Sequence, residues 1–445
     1  MPPPLDTDVP VLLLRLDQNP FHHGTLGAIR SLGRAGVEVH AVVESPYGPI
    51  SRSRHLRQGH RLPVDGGDGG RLPSGTDGVM SDGRLEQTLR TISGRIGRPS
   101  VLIPMDDLGA IAAARLAGRL AGRFLLPAQP PGLPRRVADK AELAGLCRKL
   151  GVPHPPTVVP RSSDEAAAAA VELGLPLVAK WSRPWLLPGG SGLRSTTVVT
   201  TADQARALYA RTAQAGCPLL LQRRVPGGRG TDWFFHGCFT ADGSCPAGGT
   251  GRKERAWPVD AGLTAVGRWL PNPEVEQAAH RLARHLGYRG ILDLDFRFDT
   301  GTGTYQLLDF NPRPGAQFRL FADRSGLDVV RALHLDLTGR AVTPAGPVPG
   351  RTFVVENYAL LSSLSSPPGP PAARRARTRP DRDVRRDMET AWFAPDDPAP
   401  FLAMTAAWLG QGGWKALRRT RWHVLHPPRQ RRAVPAAEPA RPEPS

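Results

Sequence analysis

One run in the second half of the chain gathers the residue types best suited to chemistry. In GILDLDFRFDTGTGTYQLLDFNPRPG (Gly290–Gly315), Asp295 falls in one alternating stretch, Asp309 and Asn311 fall in the next, and DTGTG separates them. Alternation at period two puts like-numbered side chains on one face, and a short turn makes the two stretches antiparallel neighbours. The spacing therefore predicts a hairpin on which two carboxylates and an amide oxygen converge. An all-oxygen set of this kind suits Mg²⁺ bridging phosphates rather than zinc. Arg313, two residues past Asn311, points to the same face, where its planar fork can hold a phosphoryl group or a developing oxyanion. Periodicity alone equally allows a hairpin with solvated acids.

Lysine usage is the second signal. Lys140, Lys149, Lys180, Lys253 and Lys415 are the only lysines among 58 basic residues. Where Lys survives in an arginine-rich chain, a compact point charge is the property that Arg does not offer. Lys180 ends the apolar strand LPLVAK and Lys140 begins a helix in VADKAEL, each suited to reach nucleotide phosphates. Gly189, Gly190 and Gly192 in LPGGSGLRS can lay backbone N–H groups over a phosphate chain, although a plain loop has the same composition. PLLLQRRVPGGRGTD reads as a buried strand with a polar exit, which could offer backbone groups to adenine.

The elements that must position these residues fall into four segments. Over residues 1–130, Val11–Leu16 reads as a buried strand, followed by a loop, a short helix closed by Gly36, and a second strand over Val37–Val43. Helix and strand patterns recur to about Pro130, predicting an open α/β sheet whose strands end in loops at one edge. Residues 131–225 read as a small α+β lid carrying the glycine loop. Residues 226–345 read as β-rich, with helices over Glu274–Leu286 and Leu327–Leu337. Residues 346–445 read as a Pro/Arg-rich linker, a short aromatic segment and a disordered tail.

In this order, Lys140, Lys180, the glycine loop, the strand ending at Gln222–Val225, Asp295 and Asp309-Phe-Asn311-Pro-Arg313 resemble the ATP-grasp superfamily. The likeness covers about residues 10–340 and is nearest the carboxylate–amine ligase branch, with biotin carboxylase, carbamoyl-phosphate synthase and D-aspartate ligase. It implies an N-terminal open α/β (pre-ATP-grasp) domain, then a two-lobed α+β ATP-grasp fold, with an irregular basic C-terminal extension. It also implies roles: Lys140 and Lys180 on the ATP phosphates, and Gly189, Gly190 and Gly192 in the lid loop. Gln222 and Val225 would meet adenine through their backbone, and Asp232 the ribose. Asp295, Asp309 and Asn311 would hold Mg²⁺, with Mn²⁺ as an alternative, while Arg313 would meet the transferred phosphate. Both metal carboxylates are Asp where relatives commonly have Glu, and a WLLP insert precedes the glycine loop.

The implied reaction activates a carboxylate as an acyl phosphate and joins it to an amine, releasing ADP and phosphate. The substrate site is expected between the first sheet edge and Arg313. Asn19, His22, His23 and Gly24 lie in the first βα loop, where open α/β sheets bind ligands. Lys253, with Arg252 and Arg255, forms a basic loop that could hold an acidic substrate or close over phosphate; a solvated turn has the same composition. Two rival readings are carboxyphosphate chemistry on bicarbonate and a non-enzymatic basic binding protein.

Composition narrows the rest. The net charge is +18, and two Arg-rich segments, Ser366–Thr390 and Lys415–Ser445, carry half of it. Trp422 is the one aromatic within them, too few to interleave with the arginines, so no nucleic-acid partner is expected, and the partners read as small carboxylate and amine substrates. No stretch approaches the ~20 apolar residues of a membrane span, and the N-terminus lacks a secretion pattern. Weak contact of the C-terminal end with anionic lipid stays an alternative. Four scattered cysteines suggest free thiols in a reducing compartment, hence a cytoplasmic protein. Nothing in the sequence indicates the oligomeric state.

Overall fold

The computed structural model describes residues 4–17, 19–63, 81–188, 190–258, 262–365 and 388–410. The first layer is built from β1 (Val11–Leu14), α1 (His23–Arg34), β2 (Val39–Val42), β3 (Gln58–His60), α2 (Asp82–Ile96), β4 (Ser100–Pro104), α3 (Asp107–Leu120) and β5 (Phe124–Leu125). Its five strands are parallel in the order β3-β2-β1-β4-β5. All four residues of β1 are fully buried, because Val11 and Leu13 point to one face and Leu12 and Leu14 to the other. Both faces are covered, as a parallel sheet requires. Each such side chain contributes about 1.5–3 kcal/mol by burial.

Next come α4 (Leu133–Ala138), α5 (Lys140–Leu150), β6 (Thr157–Val158), α6 (Ser163–Leu173), β7 (Leu177–Trp181), β8 (Thr196–Val199), α7 (Ala202–Tyr209), α8 (Thr212–Ala215) and β9 (Leu219–Arg223). The strands form an antiparallel sheet in the order β6-β9-β7-β8. Along β7, Leu177, Ala179 and Trp181 are buried against the alanine-rich α6, which leaves Val178 and Lys180 on the opposite face. The expected lid begins later than residue 131: Leu133, Val137, Leu143 and Cys147 of α4 and α5 pack with Phe235, Leu294 and Phe310 of the following lobe.

That lobe holds β10 (Asp232–Phe239), β11 (Ala247–Trp257), β12 (Leu263–Trp269), α9 (Pro273–Leu286), β13 (Gly290–Asp299), β14 (Thr304–Asn311) and α10 (Val329–Leu337). Helix α9 shows how local sequence sets its limits. The Asn272 side chain accepts from Val275 N–H, Pro273 opens the first turn, Gly287 closes the last at φ 59°, and Val275, Ala279 and Leu282 face the core.

The C-terminal expectation needs correction. Beyond residue 346 the chain adds β15 (Thr352–Val354), α11 (Glu356–Ser365), β16 (Met388–Thr390) and α12 (399–410). β15 and β16 extend the sheet of that lobe to β14-β13-β10-β11-β12-β15-β16. Trp392 is fully buried, and Trp408 packs on the same cluster. These elements are short and draw their apolar partners from distant parts of the chain, so no local periodicity announces them. Residues 366–387, and 411–445 with Trp414 and Trp422, lie outside the described residues. Among the described residues no helix is long and apolar enough to cross a membrane.

Candidate active site

The hairpin of β13 and β14 turns at Asp299–Thr304, where Gly303 takes φ 67° and Asp299 Oδ1 accepts from Gly301 N–H at 3.0 Å. In the register Asp295 faces Asp309 and Asp293 faces Asn311. The two expected metal carboxylates are thus direct cross-strand partners. Each meets a lysine. Lys140 Nζ donates to both Asp309 oxygens at 2.6 and 2.7 Å. Lys253 Nζ lies 2.8 Å from Asp295 Oδ1. Burial alone would raise the Asp309 pKa, but Lys140 and Lys180 outweigh it and hold the carboxyl below its usual range. Burial works against charge at Lys253 too, where Asp295 prevails and raises the pKa.

Lys140 stands at the start of α5, just after Asp139, whose side chain caps that helix by accepting from Ala141 and Glu142 N–H. Lys180 reaches across from the lid and donates to Leu308 O at 3.2 Å. Burial, with the neighbouring Lys140 charge, pushes its pKa down to about 8. Gln222, on the next strand, donates to Thr157 Oγ1. The carbonyl of Val225 accepts from Arg297, which also forms a two-pronged pair with Asp232. Asp232, expected at the ribose, is therefore held by a guanidinium. Gly189 lies outside the described residues. Gly190 and Gly192 take φ 78° and 70° beside the cavity's Ser195 and Thr196, without lining it themselves.

A cavity of about 600 Å³ opens between the lid and this hairpin. Lys140, Lys180, Lys253, Asp232, Asp295 and Asp309 line it, as do Gln222 and Val225. The expected basic loop around Lys253 is a strand instead. Its glycines conceal it from propensity, yet Gly249 and Gly251 are required: an added Cβ would come within 2.9 Å of Trp269 and 2.6 Å of Phe234.

Asn311 and Arg313 sit behind the paired aspartates rather than in the cavity wall. The amide of Asn311 donates to Asp293 Oδ2 at 3.3 Å. Arg313 donates to the same oxygen at 2.9 Å and lies 3.4 Å from Asp107 Oδ1. Burial disfavours its charge, but Asp107 and Asp293 raise its pKa. His236, fully buried, brings Nε2 within 3.0 Å of Asp293 Oδ1 without hydrogen-bond alignment. Gly315 makes room for this ring, since a Cβ there would fall 2.2 Å from it.

The first βα loop departs most from expectation. Asn19 is exposed, and its Oδ1 accepts from Phe21 N–H at 3.0 Å. His22 caps α1, its Nδ1 accepting from Thr25 N–H. His23 is 7% exposed among Phe353, Tyr358 and Trp392, and burial pushes its pKa down to about 4. None of the three lines the cavity. Gly24 marks a close approach, because a Cβ would meet Ala316 Cα at 2.9 Å. The loop does abut the Arg313–Ala316 segment, but these side chains build the junction itself.

Sequence reading missed Asp293 and Arg297, which flank Asp295 at period two and so were legible. It also missed Asp107, Trp257 and Tyr358, which arrive from distant segments and left no local signal. Among the described residues no group of three or more His, Cys, Asp or Glu is gathered as a metal cluster. Asp295 and Asp309 nevertheless fit a divalent ion that brings phosphate oxygens with it, being all-oxygen donors paired across the hairpin and offset by ammonium groups.

A parallel α/β layer, an antiparallel lid and a larger third sheet together have the ATP-grasp fold, shared with solved structures. Among solved structures, N5-carboxyaminoimidazole ribonucleotide synthetase from Thermus thermophilus is similar, with a TM-score of 0.54 and 16% identity over 77% of this chain and 81% of that one. The biotin carboxylase domain of Hydrogenobacter thermophilus 2-oxoglutarate carboxylase, solved with MgADP, ADP and bicarbonate, gives 0.55 and 16% over 76% and 72%. In sequence, the arginine-specific carbamoyl phosphate synthase large chain of Geobacillus stearothermophilus is 24% identical over 234 residues, 51% of this chain and 21% of the relative. The large chain of Deinococcus deserti is 29% identical over 226 residues, 46% and 20% of the two chains. The matched region thus spans about a fifth of these curated relatives. No protein-family model matches the chain.

Proposed function

We propose that the chain is an ATP- and Mg²⁺-dependent ligase that activates a carboxylate as an acyl phosphate and transfers the acyl group to an amine. The observation that carries this reading is the hairpin face on which Asp309 pairs with Lys140 and Asp295 with Lys253, fronting the cavity under Lys180. Both aspartates would hold Mg²⁺, and Mn²⁺ would satisfy the same oxygens; Asn311, expected with them, is turned onto Asp293 behind the pair and stands outside the cavity wall. Bound there, the ion would supply charge neutralisation for the β- and γ-phosphates.

The chain's own groups position and neutralise. Lys140 and Lys180 bind phosphate oxygens, the lid excludes water, and Arg313, held by Asp293 and Asp107 behind the aspartates, adds its positive charge to the field around the transferred group without touching it. A substrate carboxylate oxygen attacks the γ-phosphorus and the bond to the bridging oxygen breaks, giving ADP. The amine nitrogen then attacks the acyl carbon, phosphate leaves, and the nitrogen releases a proton. The names of the similar proteins, a carbamoyl phosphate synthase and a biotin carboxylase among them, support ATP-dependent carboxylate chemistry. Four free cysteines, three of them buried, support a reducing compartment such as the cytoplasm.

The test is ATP- and Mg²⁺-dependent hydroxamate formation in hydroxylamine, which traps acyl phosphates, across a panel of carboxylic acids with ADP release followed in parallel. Bicarbonate belongs in the panel: ADP release with bicarbonate and with no other acid would replace this reading with carboxyphosphate chemistry. Absence of acid-stimulated ADP release throughout would remove the ligase assignment.

A further inference from the structure

The cavity has two apolar corners with a charged floor between them. Gln222, Val225, Phe296 and Leu308 form the corner beneath the lid, the place of adenine in the reading above. Trp257 and Leu263, register partners at the outer end of the β11–β12 hairpin, form the other with Tyr358 of α11. Two strand spacings separate β13, which carries Phe296, from β11, which carries Trp257, or roughly 10 Å. A nucleotide seated in the first corner, with its phosphates over Lys140, Lys180 and Asp309, leaves the second corner to another molecule.

The walls of that corner are unusual for packing residues. Leu263 is 62% exposed and Trp257 is half-buried. Large apolar side chains left open beside a charged floor mark a ligand surface. The lining also selects the sign of the ligand's head group. Lys253 lines the cavity four residues before Trp257, and around the lining Lys140, Lys180, Arg223, Lys253 and Arg297 outnumber Asp232, Asp295 and Asp309. This local field favours an anion over an ammonium.

We infer that this corner holds the organic part of the carboxylate substrate, and that the substrate class is an aromatic or bulky apolar monocarboxylic acid. Its carboxylate lies toward Lys253 and its ring among Trp257, Leu263 and Tyr358, where aromatic faces and edges pack well. The inference rests on the ligase reading and adds to it the substrate class. Tyr358 comes from the C-terminal segment and packs on His23 at the start of α1, with ring centroids 6.3 Å apart, so the subsite joins two distant parts of the chain and is backed by a third.

The full chain is assayed for hydroxamate formation with 3-phenylpropanoate and glutarate as paired probes. The aromatic acid is expected to exceed glutarate in kcat/KM by roughly tenfold or more, within the discrimination that an apolar pocket supports. Leu263→Asp, at an exposed position, should cut that ratio about tenfold through KM while Mg-ATP affinity, titrated without acid, stays unchanged. Tyr358→Ala should act likewise, and Tyr358→Phe should retain the preference. Preference for glutarate, or a ratio unmoved by Leu263→Asp and Tyr358→Ala, overturns the subsite and leaves the ligase reading standing. No hydroxamate and no ADP from any acid, with Mg-ATP still bound, overturns the ligase reading and the subsite with it.

Discussion

Lys180 and Lys149 carry the same side chain in opposite surroundings. Lys149 is exposed on α5, whereas Lys180 is half-buried in the cavity wall with its pKa lowered to about 8. Lys180→Ala is expected to weaken Mg-ATP binding by roughly tenfold or more, and Lys149→Ala to stay within about 0.5 kcal/mol of the parent. A nucleotide titration giving equal losses would show that lysine rarity says nothing about the site. Asp309→Asn is nearly isosteric but leaves Lys140 facing a neutral amide. It should keep the melting temperature within a few degrees while lowering acid-dependent ADP release by orders of magnitude. Near-parental turnover at saturating Mg²⁺ would remove Asp309 from the metal site.

The strap of β15, α11, β16 and the turn after it joins the seven-stranded sheet to the first domain through buried charge. Arg30 of α1 donates to Asp397 Oδ2 at 2.9 Å and to the carbonyls of Trp392 and Asp397. The same carboxylate accepts from Ser53 Oγ and Arg54 N–H. Burial works against ionisation of Asp397, yet these donors hold its pKa below the usual range. Asp397→Ala strands the Arg30 guanidinium, whose side chain is 3% exposed. The expected cost is about 3–5 kcal/mol, read as a drop in the denaturant midpoint. A loss below about 1 kcal/mol would mean that the strap is not coupled to the fold.

Interlocking extends across the molecule. Val329, Val330 and Leu333 of α10 cover the face of the first sheet formed by Val11, Leu13 and Val101, so neither lobe closes its core alone. His23 stands at the junction with the strap. Its pKa is about 4 in the folded chain against 6.5 for the free side chain. Between those values the unfolded chain binds more protons, so stability is lost as pH falls from about 6.5 to 4. The loss from this residue should reach about 2 kcal/mol at pH 5. Urea melts at pH 7 and pH 5 should therefore differ, and His23→Phe should shrink the gap. An unchanged gap would place the acid sensitivity elsewhere.

Period-two alternation in the Gly290–Gly315 run sets Asp295 and Asp309 on one face without reference to any distant contact, because strand geometry is local. The same local rules carried β1, α9 and the apolar face of β7. Tertiary structure alone decided what those residues meet: that Lys140 and Lys253 answer the two carboxylates, that Asp293 and Asp107 grip Arg313, and that His23 is walled in by Phe353 and Trp392. It also decided that β15 and β16, beyond residue 346, join the sheet. Such contacts join residues up to several hundred positions apart, and their energy comes from desolvation and charge pairing that no window along the chain contains.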